Sequence, residues 1–549
     1  MKTITLSFFS SCLFIAGVLQ TQAADITLKI TRHYLNIPVS QSQERTDMEF
    51  FVDVKKERSF KIRLATGEAD YWVFCDVTKF KGKTITISYP GDAKALDKIY
   101  RDDKIAGEDT MYHETNRPQF HFTTRRGWIN DPNGLIYYEG EYHLFYQHNP
   151  YEKEWENMSW GHAVSNDMIH WRELSTALSP DDMGTMFSGS AVVDYNNTAG
   201  FNKGKTPAMI ATFTVDGHDK QVQCMAYSLD KGRTWIKYKG NPLIDSKEKW
   251  HSSDTRDPRV FWYAPGKHWV LVLNERDGHS IYTSQNLKNW VYQSHTTGFW
   301  ECPDLFELPV DGDKSKMKWV MYGASNTYMI GSFDGRKFTP ESGKHYFSTG
   351  TIYAAQTFTN IPEADGRRIQ IGWGRVSHPG MPFNGMMLLP TELTLKTTKD
   401  GIRLFSNPVK ETEKLFQKSG EWNDLNQAEA TSKFKAYDGK AGLRIKATIK
   451  LSHATSAGIS LFGQNLLDYD MNSNKVNGTF YSPEDMTSME ITADIYIDRT
   501  SVEVFIDNGA YSFSMQRMAD PKNTEGFKFW GNNIEVKKLE VYKAASIWN

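Results

Sequence analysis

Short runs in which apolar and polar residues alternate recur along most of the chain. Examples are ITLKI at 26–30, FKIRL at 60–64, AGLRIKATIKL at 441–451 and MEITADIYID at 489–498. A period of two residues indicates a β-strand with one buried face. Long runs with the helical period are hard to find. The pattern therefore predicts an all-β protein.

A weak internal repeat occupies the middle of the chain. Its unit is a β-run followed by Ser, a turn with Asp or Asn, and an aromatic residue, and it occurs at 164–171, 227–235, 283–290 and 331–338. The Ser positions of successive units are about 63, 56 and 48 residues apart. These spacings fit four-stranded blades with loop insertions, which favours a β-propeller.

A second set of five segments keeps step with this repeat, and each member precedes an apolar strand. The segments are DPNGLIYY (131–138), SGSAVVDY (188–195), RDPRVFWY (256–263), CPDLFELP (302–309) and IYAAQTFT (352–359). Five segments predict five blades. Because the first strand of each propeller blade lines the central channel, we expect Asp131, Asp257 and Glu301 to face one cavity.

The change in pattern along the chain predicts three folded regions. They are a small N-terminal β domain at 25–112, a five-bladed β-propeller at 118–400 and a C-terminal β-sandwich at 408–549. After Pro408 the Ser-turn-aromatic unit disappears while short alternating runs continue, which is typical of a sandwich. The N-terminal region shows no cluster of candidate catalytic residues.

The first residues have the pattern of an export signal. Lys2 precedes a mostly apolar stretch, and small residues follow near Ala23, so residues 1–23 are predicted to be a signal peptide. Lipid anchoring at Cys12 is the less favoured alternative. The mature protein is expected in a periplasm, at a cell surface or in the medium. Cys75, Cys224 and Cys302 lack metal-site spacing and are expected to be buried apolar residues.

Composition and charge narrow the range of partners. Aromatic residues make up 13% of the chain, which suits β-structure. With 64 Lys and Arg against 66 Asp and Glu, and no basic run, nucleic acid and anionic membranes are poor candidate partners. No segment after the signal is apolar enough for a predicted membrane span. The sequence leaves the oligomeric state open.

Three converging carboxylates allow a metal site or a glycosidase site. Metal-binding loops place several oxygen ligands close together in sequence, whereas Asp131, Asp257 and Glu301 come from three separate blades. This favours catalysis, with no metal and no cofactor predicted. Flat aromatic rings and amide or guanidinium groups near the acids suit a sugar. These neighbours are Trp128, Asn130, Gln147, Trp155, Trp160, Arg256, Trp300 and Trp373.

Four motifs in this order also resemble a known family. WINDPNG (128–134), FSGS (187–190), RDP (256–258) and WECPDLF (300–306) together are similar to those of glycoside hydrolase family 32, the invertases, inulinases, levanases and other β-fructosidases. The resemblance implies a five-bladed propeller followed by a C-terminal β-sandwich. The N-terminal β domain lies outside it. Ile129 stands where many members have Met, which exchanges one apolar residue for another.

The resemblance also implies roles for individual residues. Asp131 matches the nucleophile that forms a covalent fructosyl-enzyme, Glu301 the general acid and base, and Asp257 the transition-state stabiliser. The implied contacts to the terminal fructose are Asn130, Gln147, Trp155, Phe187, Ser188, Arg256 and Trp373. Polar Asn130 and cationic Arg256 should favour the ionised form of Asp131. The apolar flank formed by Trp300 and Cys302 should favour the protonated form of Glu301.

The implied function is retaining hydrolysis that releases terminal β-D-fructose from levan, inulin or sucrose-type sugars. The two carboxyl groups of a retaining pair should lie about 5 to 5.5 Å apart. An endo-fructanase or a fructosyltransferase would use the same three acids, because the choice depends on loops around the site. A non-catalytic fructan-binding propeller is the alternative from another class, and the presence of all three acids disfavours it.

Overall fold

The computed structural model describes residues 24–217, 219–438, 440–451, 455–480, 489–517 and 526–548. The predicted signal peptide at 1–23 and the alternative lipid anchor at Cys12 lie outside the described residues. β-strands make up most of the secondary structure between Ala24 and Ala544, and the longest described α-helix has 8 residues. The all-β prediction is confirmed.

The N-terminal region consists of two antiparallel sheets with one apolar core. One sheet contains, in spatial order, Ala24–Lys29, Thr84–Tyr89, Thr46–Val52 and Lys55–Ile62; the other contains Tyr71–Asp76, Tyr34–Val39 and Tyr100–Asp102. The alternating pattern buries every second side chain, as at Tyr71, Val73 and Cys75. Phe50 and Ile87 lie in the same core.

Five antiparallel meanders follow, each made of four consecutive or nearly consecutive strands. The first contains Gly127–Tyr138, Glu141–Asn149, Ser159–Ser165 and Arg172–Glu173; the second Thr185–Asp194, Ala208–Gly217, Lys220–Ser228 and Ile236–Lys237; the third Thr255–Tyr263, His268–Glu275, Gly278–Ser284 and Val291–Thr297; the fourth Asp304–Val310, Asp313–Tyr322, Thr327–Phe333 and Phe338–Pro340; the fifth Ile352–Thr357, Arg368–Gly374, Thr391–Thr398 and Gly401–Pro408. Short strands Phe383–Asn384, His345–Tyr346 and Met386–Met387 pair with the first, fourth and fifth meanders.

The first strand of each meander is named here leading strand I to V, in chain order. Gln356 on strand V accepts from the Leu135 N–H on strand I and donates to the Gly189 carbonyl on strand II, each at 3.0 Å. Ser190 on strand II donates to the Pro258 carbonyl on strand III at 2.8 Å. These bonds hold four leading strands against one another.

Leading strands III, IV and V meet at a buried ion pair. Arg259 Nε lies 2.9 Å from Asp304 Oδ1, and both side chains are almost fully buried. Arg259 also donates to the Thr357 hydroxyl at 2.9 Å, while Asp304 accepts from the Thr357 N–H at 2.8 Å. The fourth and fifth meanders are additionally joined through the parallel pair Val310 and Leu395.

The C-terminal region contains two sheets around a large apolar core. The seven-stranded sheet has the order Thr349–Gly350, Tyr511–Gln516, Ser501–Ile506, Glu490–Ile497, Leu443–Lys450, Glu535–Ala544 and Phe416–Asn426; the five-stranded sheet has the order Thr479–Phe480, Lys475–Val476, Gln464–Asp470, Ser456–Leu461 and Phe527–Gly531. Ile445, Ile459 and Phe529 belong to the shared core. The segment before leading strand V pairs with this sheet, which ties the two regions together.

Helices are few and short among the described residues. The α-helices are Ala93–Leu96, Lys247–Trp250 and Gln427–Phe434, and the 3₁₀ helices are Thr78–Phe80, Glu108–Thr110, Lys410–Leu415 and Lys435–Tyr437. Asn426 and Glu429 form a reciprocal capping box at the start of the longest one. No described helix has the length and apolar character needed to cross a membrane.

Candidate active site

Four of the five leading strands break register near the acids, and three of these breaks fall on predicted site residues. The pairing skips 130–131 in strand I, 187–188 in strand II, 257–258 in strand III and 354–355 in strand V. A bulge of this kind interrupts the strict alternation of side chains and redirects them. The breaks in register therefore lie where polar groups from separate strands come together.

The backbone is also unusual at these positions. Asp257, Glu301, Cys302 and Ala354 have positive φ angles of 67°, 51°, 40° and 51°. A left-handed conformation costs an L-residue roughly 1–2 kcal/mol. Such conformations persist where the surrounding structure enforces them, and they concentrate at functional sites. Two of the three predicted acids thus sit on strained backbone.

Asp131 is held by polar groups from its own strand and from the next one. Ser188 donates to Asp131 Oδ2 at 2.7 Å, and Asn130 Nδ2 donates to Oδ1 at 3.2 Å. Burial raises the pKa of Asp131 above its usual value, with Glu301 adding to the rise, while the bonds from Ser188 and Asn130 act in the opposite direction. The predicted support from Asn130 is therefore present.

Asp257 is buried and lies close to the other acids. Its N–H donates to the Thr214 hydroxyl at 2.9 Å, and its Oδ2 accepts from the Cys302 N–H at 2.9 Å. Burial, with the nearby charges of Asp131 and Glu301, raises the pKa of Asp257 to about 7, against the opposing effect of Arg256. The carboxylates therefore influence one another's protonation, as expected for acids in one cavity.

Cys302 lies between two of the acids. Its thiol sulfur is 3.6 Å from Asp131 Oδ2 and 3.5 Å from Asp257 Oδ2. Burial and the neighbouring carboxylates raise the pKa of the Cys302 thiol well above its usual range, so the group is a neutral weak donor. The prediction of an apolar buried cysteine is wrong for Cys302, which is only partly buried and has polar neighbours. Cys224 is buried as predicted.

Polar groups surround the Glu301 carboxylate, in contrast to the apolar flank expected from its sequence neighbours. Arg256 donates to Oε1 through Nε at 3.2 Å and through a terminal nitrogen at 2.8 Å. Tyr353 donates its hydroxyl to Oε2 at 2.5 Å. The Glu301 N–H donates to the Asn274 side chain at 2.8 Å, which fixes the backbone. Arg256 thus binds Glu301 and not Asp131.

Arg256 is itself held in place by several groups. It donates to Asp254 at 2.8 Å and to Gln221 at 3.0 Å. Its guanidinium carbon lies 5.3 Å from the ring centre of Trp300, which is 40% exposed. This arrangement places a fixed cation, an exposed aromatic ring and the Glu301 carboxylate next to one another.

Aromatic residues flank the acids on two sides. Trp155, which is 50% exposed, meets Phe187 edge to face with ring centres 5.9 Å apart. Trp128 donates to Asn130 at 2.7 Å and contacts Trp373 edge to face at 5.8 Å. The indole nitrogen of Trp373 is buried without a hydrogen-bond partner.

Two of the sequence-predicted neighbours are buried deeper. Gln147 is almost fully buried, and its side-chain nitrogen donates at 2.9 Å to the Asn133 oxygen when the Asn133 amide takes the orientation that satisfies its neighbours. Trp160 is fully buried in the core between the first two meanders and donates to the Phe187 carbonyl at 2.9 Å. Trp160 therefore supports Phe187 from behind and offers no free surface to a sugar.

Sequence reasoning missed several residues of the site. Tyr353, Asn274 and Thr214 contact the acids or their backbone, and none was predicted to do so. Tyr353 precedes the bulge of leading strand V, so its place in the fifth repeated segment was an available signal. The other two lie inside apolar strands without a distinguishing pattern. The described residues contain no group of three or more His, Cys, Asp or Glu arranged to hold a metal ion.

Comparison with known proteins places the chain in a family. Residues 121–408 match the family model described as "Glycosyl hydrolases family 32 N-terminal domain". A levanase of Bacillus subtilis (strain 168) is 39% identical over 496 residues, which cover 81% of this chain and 72% of that protein. An extracellular exo-inulinase of Aspergillus niger is 33% identical over 521 residues, covering 80% of this chain and 96% of that protein.

Solved structures agree with the sequence relatives. The crystal structure of exo-inulinase from Aspergillus awamori has a TM-score of 0.68 at 28% identity and covers 80% of this chain and 100% of that one. A fructofuranosidase from Schwanniomyces occidentalis, complexed with fructosylnystose, has a TM-score of 0.68 at 26% identity and covers 79% and 99% of the two chains. On the family match and the identity to full-length relatives, this chain belongs to glycosyl hydrolases family 32.

Proposed function

We propose that the protein is a retaining β-fructosidase that releases terminal fructose from levan, inulin or sucrose-type sugars. The observation that carries the proposal is that Asp131 of the first meander, Asp257 of the third, and Glu301 in the connection before the fourth meet around Cys302. A retaining glycosidase needs one carboxylate that attacks and one carboxyl group that transfers a proton. The named substrates of the family relatives agree with this chemistry.

In the first step, Asp131 attacks the anomeric carbon of the terminal fructose as the bond to the leaving oxygen breaks. Glu301 gives its proton to that oxygen, so the leaving sugar departs as an alcohol. The products of the step are a fructosyl ester on Asp131 and an ionised Glu301. Ser188 and Asn130, which donate to Asp131 in the free protein, keep the attacking carboxylate oriented.

In the second step, Glu301 removes a proton from water, and the water oxygen displaces Asp131 from the anomeric carbon. Fructose leaves with its original anomeric configuration, and both acids return to their starting state. Arg256 and Tyr353 hold the Glu301 side chain toward the cavity. Asp257 is the proposed stabiliser of the transition state, through hydrogen bonds with fructose hydroxyls.

The proposed sugar contacts are the polar and aromatic groups next to the acids. In this proposal Trp155 and Phe187 form an aromatic wall, and the unpartnered indole N–H of Trp373 donates to a sugar hydroxyl. The full proposed set is Asn130, Gln147, Trp155, Phe187, Ser188, Arg256 and Trp373. Because Gln147 is almost fully buried, it offers a sugar little of its surface.

We further propose that the five meanders are the blades of a propeller over 118–400, with a β-sandwich at 408–549 and an N-terminal β domain at 25–112. The support is the series of bonds between leading strands: Gln356 links V to I and II, Ser190 links II to III, and Arg259, Asp304 and Thr357 join III, IV and V. In such a fold the leading strands surround one channel, which explains why their bulges share the site.

Export from the cytoplasm is part of the proposal. It rests on the signal-like pattern of residues 1–23 and on relatives named as extracellular enzymes. Anchoring through Cys12 is the less favoured form of the same proposal. Fructans are polymers, so an exported enzyme can reach substrates that do not enter the cell.

The direct test is incubation of the purified protein with sucrose, inulin and levan, followed over time by chromatography. Free fructose as the earliest product supports terminal cleavage, while an early ladder of oligosaccharides indicates an endo-fructanase. New, longer sugars formed from sucrose indicate a fructosyltransferase. Binding to levan or inulin without any sugar release would overturn the enzymatic proposal in favour of a fructan-binding propeller.

Two variants test the roles of the acids. Asp131→Asn should lower kcat by a factor of about 10⁴ or more while sugar binding and the unfolding temperature persist, because the nucleophile is lost. Glu301→Gln should retain much more activity on an aryl fructoside with an acidic leaving group than on sucrose, since that group departs without a proton. Asp313→Asn, which changes an exposed carboxylate far from the site, is the matched control. Near-normal activity of Asp131→Asn would refute the nucleophile assignment.

A further inference from the structure

The loop that carries Trp155 is held by the N-terminal region. This rim loop, residues 150–157, connects strands Glu141–Asn149 and Ser159–Ser165 of the first meander. Its side chains contact residues of the N-terminal region through Tyr151, Glu152, Glu154, Glu156 and Asn157. A connection that would otherwise be a free surface loop is therefore fixed from outside its own domain.

Glu152 is the centre of this contact and is 0% exposed. Its Oε2 accepts from Arg45 Nε at 2.9 Å and from an Arg63 terminal nitrogen at 2.7 Å, while Oε1 accepts from the Arg63 N–H at 2.6 Å. Both arginines also reach Glu154, at 2.6 and 3.1 Å. A buried carboxylate with two guanidinium partners fixes position through several charge-assisted bonds at once.

Two further contacts hold the ends of the rim loop. Lys61 and Asn157 exchange hydrogen bonds between backbone and side chain, at 2.8 Å from the Lys61 N–H and 2.9 Å to the Lys61 carbonyl. The rings of Phe60 and Tyr151 stack with centres 3.7 Å apart. Phe60, Lys61 and Arg63 all belong to one N-terminal strand or its immediate end, and Arg45 adds contacts from just before the neighbouring strand.

The rim loop is connected to Asp131 through a short series of contacts. Trp155 contacts the ring of Phe187, and the adjacent Ser188 donates to Asp131. Trp155 makes this contact while half of its own surface stays open to a ligand. Trp155 is therefore the side chain that connects the loop held by the N-terminal region with the residues around Asp131.

We propose that the N-terminal β domain positions Trp155, with Arg63 as the principal positioning residue, and thereby sets the affinity of the cavity for the terminal sugar. The proposal rests on the proposed β-fructosidase function. Arg45 and Arg63 lie outside residues 121–408, which match the family model. Their contacts with the rim loop are therefore an addition to the matched region. A wall residue fixed in advance loses less freedom when the sugar binds, which strengthens binding.

The test variant is Arg63→Met, which removes the side-chain bonds to Glu152 and Glu154 and leaves Arg45 as a charge partner for Glu152. KM for sucrose and for short fructans should rise roughly tenfold, and kcat should change by less than about twofold, since the acids are untouched. Arg32→Met is the matched control: it breaks an exposed pair with Asp103 on the same domain and should leave both constants unchanged. Asn157→Gly, which removes both bonds to Lys61 and the bond to Asn149, is the second variant.

A cycle with Trp155→Ala distinguishes positioning from general loosening of the fold. If Arg63 acts through Trp155, the Arg63→Met change should raise KM in the wild-type background and have no further effect in Trp155→Ala. An equal rise in KM in both backgrounds would overturn the proposal, as would an unchanged KM in Arg63→Met.

Hydrogen exchange gives a readout that needs no activity. Peptides covering 150–157 should exchange faster in Arg63→Met than in wild type, while peptides from leading strand III should not change. Unchanged exchange at 150–157 would refute the claim that Arg63 holds the rim loop in place. A wild-type protein that releases no fructose would refute the proposed function instead, and the exchange result would still decide whether Arg63 holds the loop.

Discussion

Ser188 on leading strand II donates its hydroxyl to Asp131 Oδ2 on leading strand I at 2.7 Å, across the boundary between two meanders. This bond opposes the rise in the pKa of Asp131 that burial causes. The neighbouring meander therefore helps to keep the proposed nucleophile ionised, which it must be in order to attack.

Ser188→Ala should move the acidic limb of the kcat/KM profile to higher pH. Without the bond, the pKa of Asp131 rises further, so the fraction of ionised Asp131 falls most at low pH. The measurement is kcat/KM on sucrose from about pH 4 to 8. Ser315→Ala removes a similar bond to an exposed aspartate, Asp313, and should leave the profile in place. An acidic limb that stays put or moves to lower pH in Ser188→Ala would contradict this.

Tyr353→Phe should lower activity on sucrose more than on an aryl fructoside. The Tyr353 hydroxyl binds Glu301 Oε2, and without it the proton donor is held by Arg256 on one oxygen only. We expect kcat on sucrose to fall by about 10- to 100-fold. Tyr346→Phe, at an exposed tyrosine, is the control. Equal losses on the two substrates would show that Tyr353 does not act through Glu301.

Arg259→Met should destabilise the middle region by about 3–5 kcal/mol, because it leaves Asp304 buried without its cationic partner. The expected signal is a lower unfolding temperature in differential scanning calorimetry. Combining Arg259→Met with Asp304→Asn should recover part of the loss, since the uncompensated charge is then absent. Strictly additive losses in the double variant would show that the two residues do not interact.

The contact between the middle and C-terminal regions should respond to pH through His121. His121 bonds to Asp498 at 2.8 Å and to Glu503 at 2.6 Å. Burial opposes the charged form of His121, but the two carboxylates outweigh it and raise the pKa of His121 to about 9. A folded-state pKa above the unfolded value of about 6.5 stabilises the protein fully below pH 6.5. This stabilisation is lost as pH rises through about 9.

The difference in unfolding temperature between wild type and His121→Gln should therefore be largest near pH 6 and shrink toward pH 10. His378, Arg117 and Arg517 are further basic groups near this contact. His170→Gln changes an exposed histidine paired with Asp167 and serves as the control. A difference that grows above pH 9 would disprove the charged state of His121.

The sequence by itself determined the all-β class and grouped Asp131, Asp257 and Glu301 together. Alternation with period two is a local property, so all-β structure could be predicted wherever it occurs, as in Leu443–Lys450. The repeated segments identified the leading strands in advance because equivalent repeat positions occupy equivalent places in a fold. Asp131, Asp257 and Glu301 could be grouped on that basis alone.

Only the tertiary structure decided how these groups interact. Arg256 is 45 residues from Glu301 in sequence, and Cys302 is 171 residues from Asp131, so their pairing depends on bulges and backbone twist that no local pattern encodes. The bond from Arg63 to Glu152 likewise joins residues 89 apart, one in the N-terminal region and one in the first meander. Alternation along a strand tells which face a side chain takes, whereas packing between strands determines which partner it meets.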